Sequence, residues 1–207
     1  MKHYWSKLRK NKMYNWAIEG NQIHTIEYAR LSLCDLRCHS SKLLELAVEG
    51  GNVETLEYVH TALCNKWPLM FGYLHRALQL NHLECVKYIY PFMYGVSPSA
   101  MCERAVKWDR LEALKYFHER SQIPASPHLC TLAAGRGNVK ILKYLHSQGH
   151  PWDKSCYFNA VRLGYFHTVK YLHENGCPWD SGVVQFAIYY RREAILAYAL
   201  ANGCPSY

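Results

Sequence analysis

The sequence predicts an all-α fold, a solenoid of about seven helix–turn–helix units, and three observations carry that reading. An alanine recurs at Ala17, Ala47, Ala77, Ala105, Ala133, Ala160 and Ala187, at spacings of 30, 30, 28, 28, 27 and 27 residues. Eleven residues after each stands a tyrosine: Tyr28, Tyr58, Tyr88, Tyr116, Tyr144, Tyr171 and Tyr198. Certain columns between and beside them carry no charge in any unit. A fixed period of this size marks an array in which each unit buries its apolar face only against its neighbours.

The first helix of each unit holds the alanine and the apolar residue after it, which is Ile18, Val48, Leu78, Val106, Ala134, Val161 and Ile188 in turn. A methyl side chain is expected there because two helices approach closely only over a small residue. A break follows, at Gly50-Gly51-Asn52, at Gly137-Asn138 and at Gly164, since glycine accepts the left-handed geometry that closes a helix. The second helix carries an apolar stripe nine and twelve residues after the alanine, from Ile26 and Ala29 to Leu196 and Ala199. With a further apolar or threonine position at offset eight, this is the i, i+3, i+4 pattern of an amphipathic helix. The later units end at Gly149, Gly176 and Gly203, the first two followed by Pro151-Trp152-Asp153 and by Cys177-Pro178-Trp179-Asp180. Glycine closes the helix, proline forbids its continuation and aspartate caps the next. Earlier connectors, Cys34–Ser41 and Pro91–Ser99, are looser. The units fall at about 12–40, 41–70, 71–98, 99–125, 126–152, 153–179 and 180–207, all within one domain spanning 1–207.

Half the residues are apolar and 19% are charged, a composition that supports a packed core. No run of about 18 apolar residues occurs, so no membrane span is expected. Met1–Lys10 lacks the apolar stretch of a signal peptide. The expected location is therefore intracellular and reducing, cytoplasmic or nuclear, not secreted. The nine cysteines are an odd number. Cys177 and Cys204 hold one place in adjacent units, and helices stack roughly 8–10 Å apart, beyond the about 7 Å that a disulfide allows. Reduced thiols are expected.

Enzyme signatures are missing. There is no phosphate-binding Gly-x4-Gly-Lys loop, no His-Glu-x-x-His and no Gly-x-Ser-x-Gly, and Gly135-Arg136-Gly137 lacks the third glycine of a dinucleotide loop. The expectation is no enzymatic activity and no cofactor. His60, His118, His146 and His173 share the column thirteen residues after the alanine. Ligands of one metal ion lie within about 3–4 Å of each other, whereas one histidine per layer spaces them about 10 Å apart. They are read as partly buried rings bonded to the backbone of the neighbouring layer. Cys34-x3-Cys38-His39 has metal-like spacing, but no second ligand pair completes it, so no metal is expected.

Leu132–Gly149, with its paired alanine, Gly-polar turn, aliphatic second helix and closing glycine, resembles the body of an ankyrin repeat. The resemblance covers about residues 12–205, strongly from Leu129 onward and weakly before Ser41. The Gly-Cys-Pro-Trp-Asp ending at 176–180 and the 27-residue spacing resemble the short ankyrin-like arrays encoded by giant viruses of protists and by some protists. The Thr-Pro-Leu-His opening of standard repeats is missing, and each unit is short of 33 residues. The shortfall belongs to the β-hairpin finger, so binding residues of the fingers are not carried over.

The resemblance implies a non-enzymatic protein–protein interaction scaffold, viral or host-directed, whose first helices line a concave face. The two residues at the exposed end of the first helix read Glu19-Gly20, Glu49-Gly50, Gln79-Leu80, Lys107-Trp108, Gly135-Arg136, Arg162-Leu163 and Tyr189-Tyr190. Arginine and large aromatic residues dominate interface energetics, so Lys107, Trp108, Arg136, Arg162, Tyr189 and Tyr190 are the candidate contacts for a protein partner with an acidic patch. The alternative is a basic solenoid that binds nucleic acid, prompted by the net charge of +8, by Lys2, Lys7, Arg9, Lys10 and Lys12, and by the column Lys87, Lys115, Lys143 and Lys170. Glu27 and Glu57 occupy that column in the first two units, which favours a solvated helix edge. The last helix, Ala194–Ala201, is nearly all apolar, although arrays end on a polar face. Either Ile195, Leu196 and Leu200 turn inward, or a second copy, a further segment or the partner covers them.

Overall fold

The computed structural model describes residues 15–32, 40–63, 68–121 and 123–206, the side chains of 28–32 and 40 apart. Among these residues the secondary structure is helical, with no strand, and no helix is long and apolar enough to cross a membrane. The chain divides into two compact units, Met1–Val96 and Ser97–Tyr207.

In the first unit a helical stretch at 15–19 precedes α1 (Ile23–Ser32). Then come α2 (Ser40–Gly50), α3 (Val53–Tyr58) continuing as a π-helical turn Val59–Leu63, α4 (Phe71–Leu80), and α5 (Leu83–Ile89) with a 3₁₀ turn Tyr90–Phe92. The pairs α2/α3 and α4/α5 pack internally; α2 packs on α4 and α3 on α5. The second unit repeats this scheme with α6 (Pro98–Lys107) and α7 (Leu111–Arg120), α8 (Pro127–Ala134) and α9 (Val139–Ser147), α10 (Ser155–Leu163) and α11 (Phe166–Glu174), and α12 (Ser181–Tyr189) and α13 (Glu193–Ala201). The first helices form one row, α6–α8–α10–α12, and α9–α11–α13 form a second.

The columns anticipated from sequence form the core. All seven alanines are buried, none more than 2% exposed. The residue after each is buried too, except the last, Ile188, which is 59% exposed. In the second helices Ile26, Leu56, Val86, Leu114, Leu142 and Val169 are fully buried, each burial contributing roughly 1.5–3 kcal/mol. Leu196, in the corresponding place of α13, is half-buried.

One feature of the turn between paired helices exceeds the glycine pattern. The residue four after the alanine adopts a left-handed backbone in every unit: Asn21, Gly51, Asn81, Asp109, Gly137, Gly164 and Arg191, with φ between 54° and 80°. The next residue's N–H then returns to the alanine carbonyl, as in His82 to Ala77 (2.9 Å), Tyr165 to Ala160 (2.8 Å) and Arg192 to Ala187 (2.7 Å), satisfying an acceptor that the helix end leaves open. At four positions, His82, Asn138, Tyr165 and Arg192, that next residue also projects its side chain onto the turn of the preceding pair. The His82 ring lies over Gly51, the Tyr165 ring over Gly137 and the Arg192 guanidinium over Gly164, while Asn138 donates its amide N–H to Asp109. A methyl group at Gly137 would stand 2.8 Å from the Tyr165 ring.

Helix starts follow the predicted chemistry. Asp153 accepts from Ser155 N (2.8 Å) and Asp180 from Gly182 N (3.0 Å), and Asn52 and Asn138 cap α3 and α9 through Thr55 N and Ile141 N. The histidine column departs from expectation. Its rings meet side chains of the next pair, chiefly tyrosine, rather than backbone. His60 Nδ1 lies 2.8 Å from the Tyr88 hydroxyl and His173 Nδ1 2.9 Å from the Tyr198 hydroxyl. The His118 ring packs on Tyr144 at 5.5 Å, and His146 stacks on Trp152 at 3.5 Å. The tyrosine eleven residues past the alanine is thus the partner of the preceding unit's histidine for His60, His118 and His173, while Trp152 takes that place for His146.

Candidate functional site

The row of first-helix ends in the second unit holds all six candidate residues. Lys107, Arg136 and Arg162 are exposed and Trp108 is half-buried. Arg136 does not project freely: its Nη2 donates to the Lys107 carbonyl at 2.6 Å, placing a cation on the open carbonyl end of α6, where the helix dipole favours it. Arg192 does the same for α10, with Nε and Nη2 at 3.2 and 2.7 Å from the Arg162 carbonyl. Arg162 itself reaches back to Asn159 Oδ1 at 3.1 Å within its own helix.

Aromatic side chains continue the row. Tyr189 is 78% exposed and meets Tyr190 edge to face at 4.9 Å. Tyr190 packs against Phe186 at 6.5 Å, and Phe186 against Phe158 at 4.7 Å. A ridge of four aromatic rings therefore links α12 to α10, beside the Arg162–Arg192 helix end. Tyr189 and Tyr190 belong to this cluster, Arg162 stands four residues after Phe158 on α10 and bonds to Asn159, and Lys107 is joined to Arg136 through its carbonyl; Trp108 follows Lys107 at the end of α6. Sequence reasoning missed Phe158, Phe186 and Arg192 because it examined two fixed offsets after the alanine, whereas these residues stand before it or in the turn. The i, i+4 spacing of Phe186 and Tyr190 was the available signal.

Charge along this row is lopsided. Lys107, Arg136, Arg162, Arg191 and Arg192 are set against Asp109, which Asn138 engages, and Glu103, which lies 3.7 Å from His128. In the first unit the corresponding row carries Glu19 and Glu49, and Glu49 is paired. Arg76 donates to Glu49 through Nε and Nη2 at 3.2 and 3.0 Å, and Lys42 meets Glu45 at 3.3 Å. An open cleft of ≈ 300 Å³ lies there, lined by Glu45, Glu49, Met70, Tyr73 and Arg76 among others.

The lysine column is mostly neutralised on its own helices. Lys87 pairs with Glu84 (2.8 Å), Lys115 with Glu112 (2.8 Å) and Lys170 with Glu174 (3.6 Å), while Lys143 lies over the Tyr171 ring at 5.2 Å. No group of three metal-ligating side chains occurs among the described residues. Cys34, Cys38 and His39, like Lys2, Lys7, Arg9, Lys10 and Lys12, lie outside them. No protein-family model matches the chain, and no curated protein matches it either.

Proposed function

We propose that the protein is a non-enzymatic interaction scaffold, an ankyrin-like solenoid of short units that grips a protein partner along the ends of its first helices. The viral or host-directed setting is part of this reading and rests on the repeat's resemblance alone. The observation that carries the binding surface is the ridge Phe158–Phe186–Tyr190–Tyr189 beside Arg162, Arg191 and Arg192. Rigid aromatic rings supply contact area at low entropic cost, arginine supplies forked donors for carboxylates, and both are enriched where interface energy concentrates. The charge excess selects a partner with an acidic patch, which speeds encounter and disfavours basic competitors.

Affinity capture from lysate of a cell expressing the protein, repeated with the Arg162→Glu/Arg191→Glu variant, tests this. A specific protein that loses at least tenfold in affinity to the variant, while circular dichroism stays unchanged, is the expected result. Undiminished capture by the variant, or binding of duplex DNA or RNA in place of any protein, would remove the reading. Arg136→Glu serves as a comparison, because it also breaks the bond to the Lys107 carbonyl and should lower stability as well as binding.

A further inference from the structure

Arg191 does not fit the pattern of the turn it occupies. In the other six units the left-handed position holds a short residue, glycine, asparagine or aspartate, and these are the types that adopt such a backbone most easily. Arg191, at φ 54°, sets a long side chain there, where a glycine would form the same turn without strain. Strain that the frame does not require marks a residue kept for what its side chain does.

That side chain does nothing for the fold. Other arginines of the second unit are committed: Arg136 and Arg192 to the carbonyl ends of α6 and α10, Arg162 to Asn159, and Arg120 to the Tyr116 ring at 4.9 Å. Arg191 is exposed, and among the described residues it enters no side-chain hydrogen bond and no ion pair, not even with Glu193 two positions on. A cation at the end of α12 suits the helix dipole, yet unlike Arg136 and Arg192 it bonds to no helix-end carbonyl. Its chain neighbours are held in place. Tyr189 and Tyr190 precede it and meet edge to face at 4.9 Å, and Arg192 after it is tied to the Arg162 carbonyl.

Given the protein-binding reading above, on which this rests, we infer that Arg191 is the specificity-determining contact of the surface: its guanidinium takes one Asp or Glu carboxylate of a partner segment, and the apolar side chain next to that acid rests on the Tyr189–Tyr190 rings. An uncommitted guanidinium offers two parallel N–H donors that match a carboxylate. Tyr189, 78% exposed, supplies an apolar wall beside it, and excluding water strengthens such a pair. Arg162 and Arg192, already bonded, add to the positive field that speeds encounter without reading the acid. The partner's acidic patch thereby narrows to one carboxylate read by one residue, and the strain in the turn is what places that residue at the tip.

Random dodecapeptides displayed as a library are selected on the full chain, and the most enriched peptide is resynthesised and titrated against wild type, Arg191→Gly, Arg191→Lys and the Arg162→Glu/Arg191→Glu variant. The expected peptide carries one dominant Asp or Glu next to an apolar residue. Arg191→Gly should bind it about tenfold more weakly while its urea midpoint rises, a divergence that a structural role would not give; Arg191→Lys, which keeps the charge without the fork, should fall between them. Changing the peptide's acid to its amide should weaken wild-type binding about tenfold and leave Arg191→Gly binding unchanged, because the two changes remove the same contact. An enriched peptide without an acid, an acid-to-amide loss of equal size in both proteins, or Arg191→Gly affinity within about twofold of wild type would overturn the assignment and leave the surface standing. A selection that enriches nothing, or a peptide that binds the Arg162→Glu/Arg191→Glu variant undiminished, would remove the surface itself and this contact with it.

Discussion

Seven residues with left-handed backbones close the first helices, yet only three of them are glycines. An L side chain in that region costs roughly 1–2 kcal/mol, less for Asn and Asp, the residue types at 21, 81 and 109, whose short side chains tolerate it. Arg191, at φ 54°, has no such relief. Arg191→Gly should therefore raise stability by about 0.5–1 kcal/mol after the added unfolded-state entropy is subtracted. Gly137→Ala should lower it by about 1–3 kcal/mol, because strain is joined by the Tyr165 ring. Urea titration of both variants checks the pair. Two histidines carry a separate signature. Burial lowers the pKa of His60 and His118 below 6.5, with His150, stacked on His118 at 5.2 Å, adding to the second. The unfolded chain binds protons at these sites more readily, so their stabilisation is complete above pH 6.5 and is lost as pH falls from there through the folded values. The urea midpoint should drop between pH 7.5 and 5.5, and His118→Gln should flatten that slope.

Helices were legible where burial acts on every unit alike. The alanine column and the stripe nine and twelve residues on recur because a close helix contact and a fully buried site each tolerate few residue types. Leu142→Ala, deleting a fully buried side chain of α9, should destabilise by about 2–5 kcal/mol, measured by chemical denaturation. The turn was only partly legible, since Asp109 and Arg191 give no propensity signal for a left-handed backbone; there the tertiary contact overrides preference. The histidine partner was misjudged for a similar reason. The tyrosine column was visible, but nothing in a linear pattern says that the hydroxyls of Tyr88 and Tyr198 reach back to the histidine of the preceding pair. At the candidate surface, Lys107, Trp108, Arg136, Arg162, Tyr189 and Tyr190 were named by offset, while the neighbours Phe158, Phe186 and Arg192 needed three-dimensional adjacency.

At the scale of the molecule, the all-α class followed from the period together with the apolar stripes of the second helices, and the lack of a long apolar helix among the described residues agrees with the lack of any run of about 18 apolar residues. The question left open at the last helix has a divided answer. Ile195 turns inward at 2% exposure, whereas Leu200 is 52% and Ile188 59% exposed, with Leu196 half-buried between these limits. Ile188→Lys should raise the ammonium sulfate concentration needed for precipitation, with a change in stability within about 0.5 kcal/mol, because the side chain already faces solvent. An unchanged solubility curve would mean that this face is shielded in solution.

The side chains lying across successive turns also bear on how such an array can change over time. His82 suits Gly51, Asn138 suits Asp109, Tyr165 suits Gly137 and Arg192 suits Gly164, each by a different shape or charge. The modules are keyed to their order. Exchanging two of them, or duplicating one, would set a short asparagine against a glycine turn shaped for a ring, or a ring against the Asp109 turn. Swapped chains should keep their helices yet melt in separate steps, because the junctions, not the modules, carry the cooperativity.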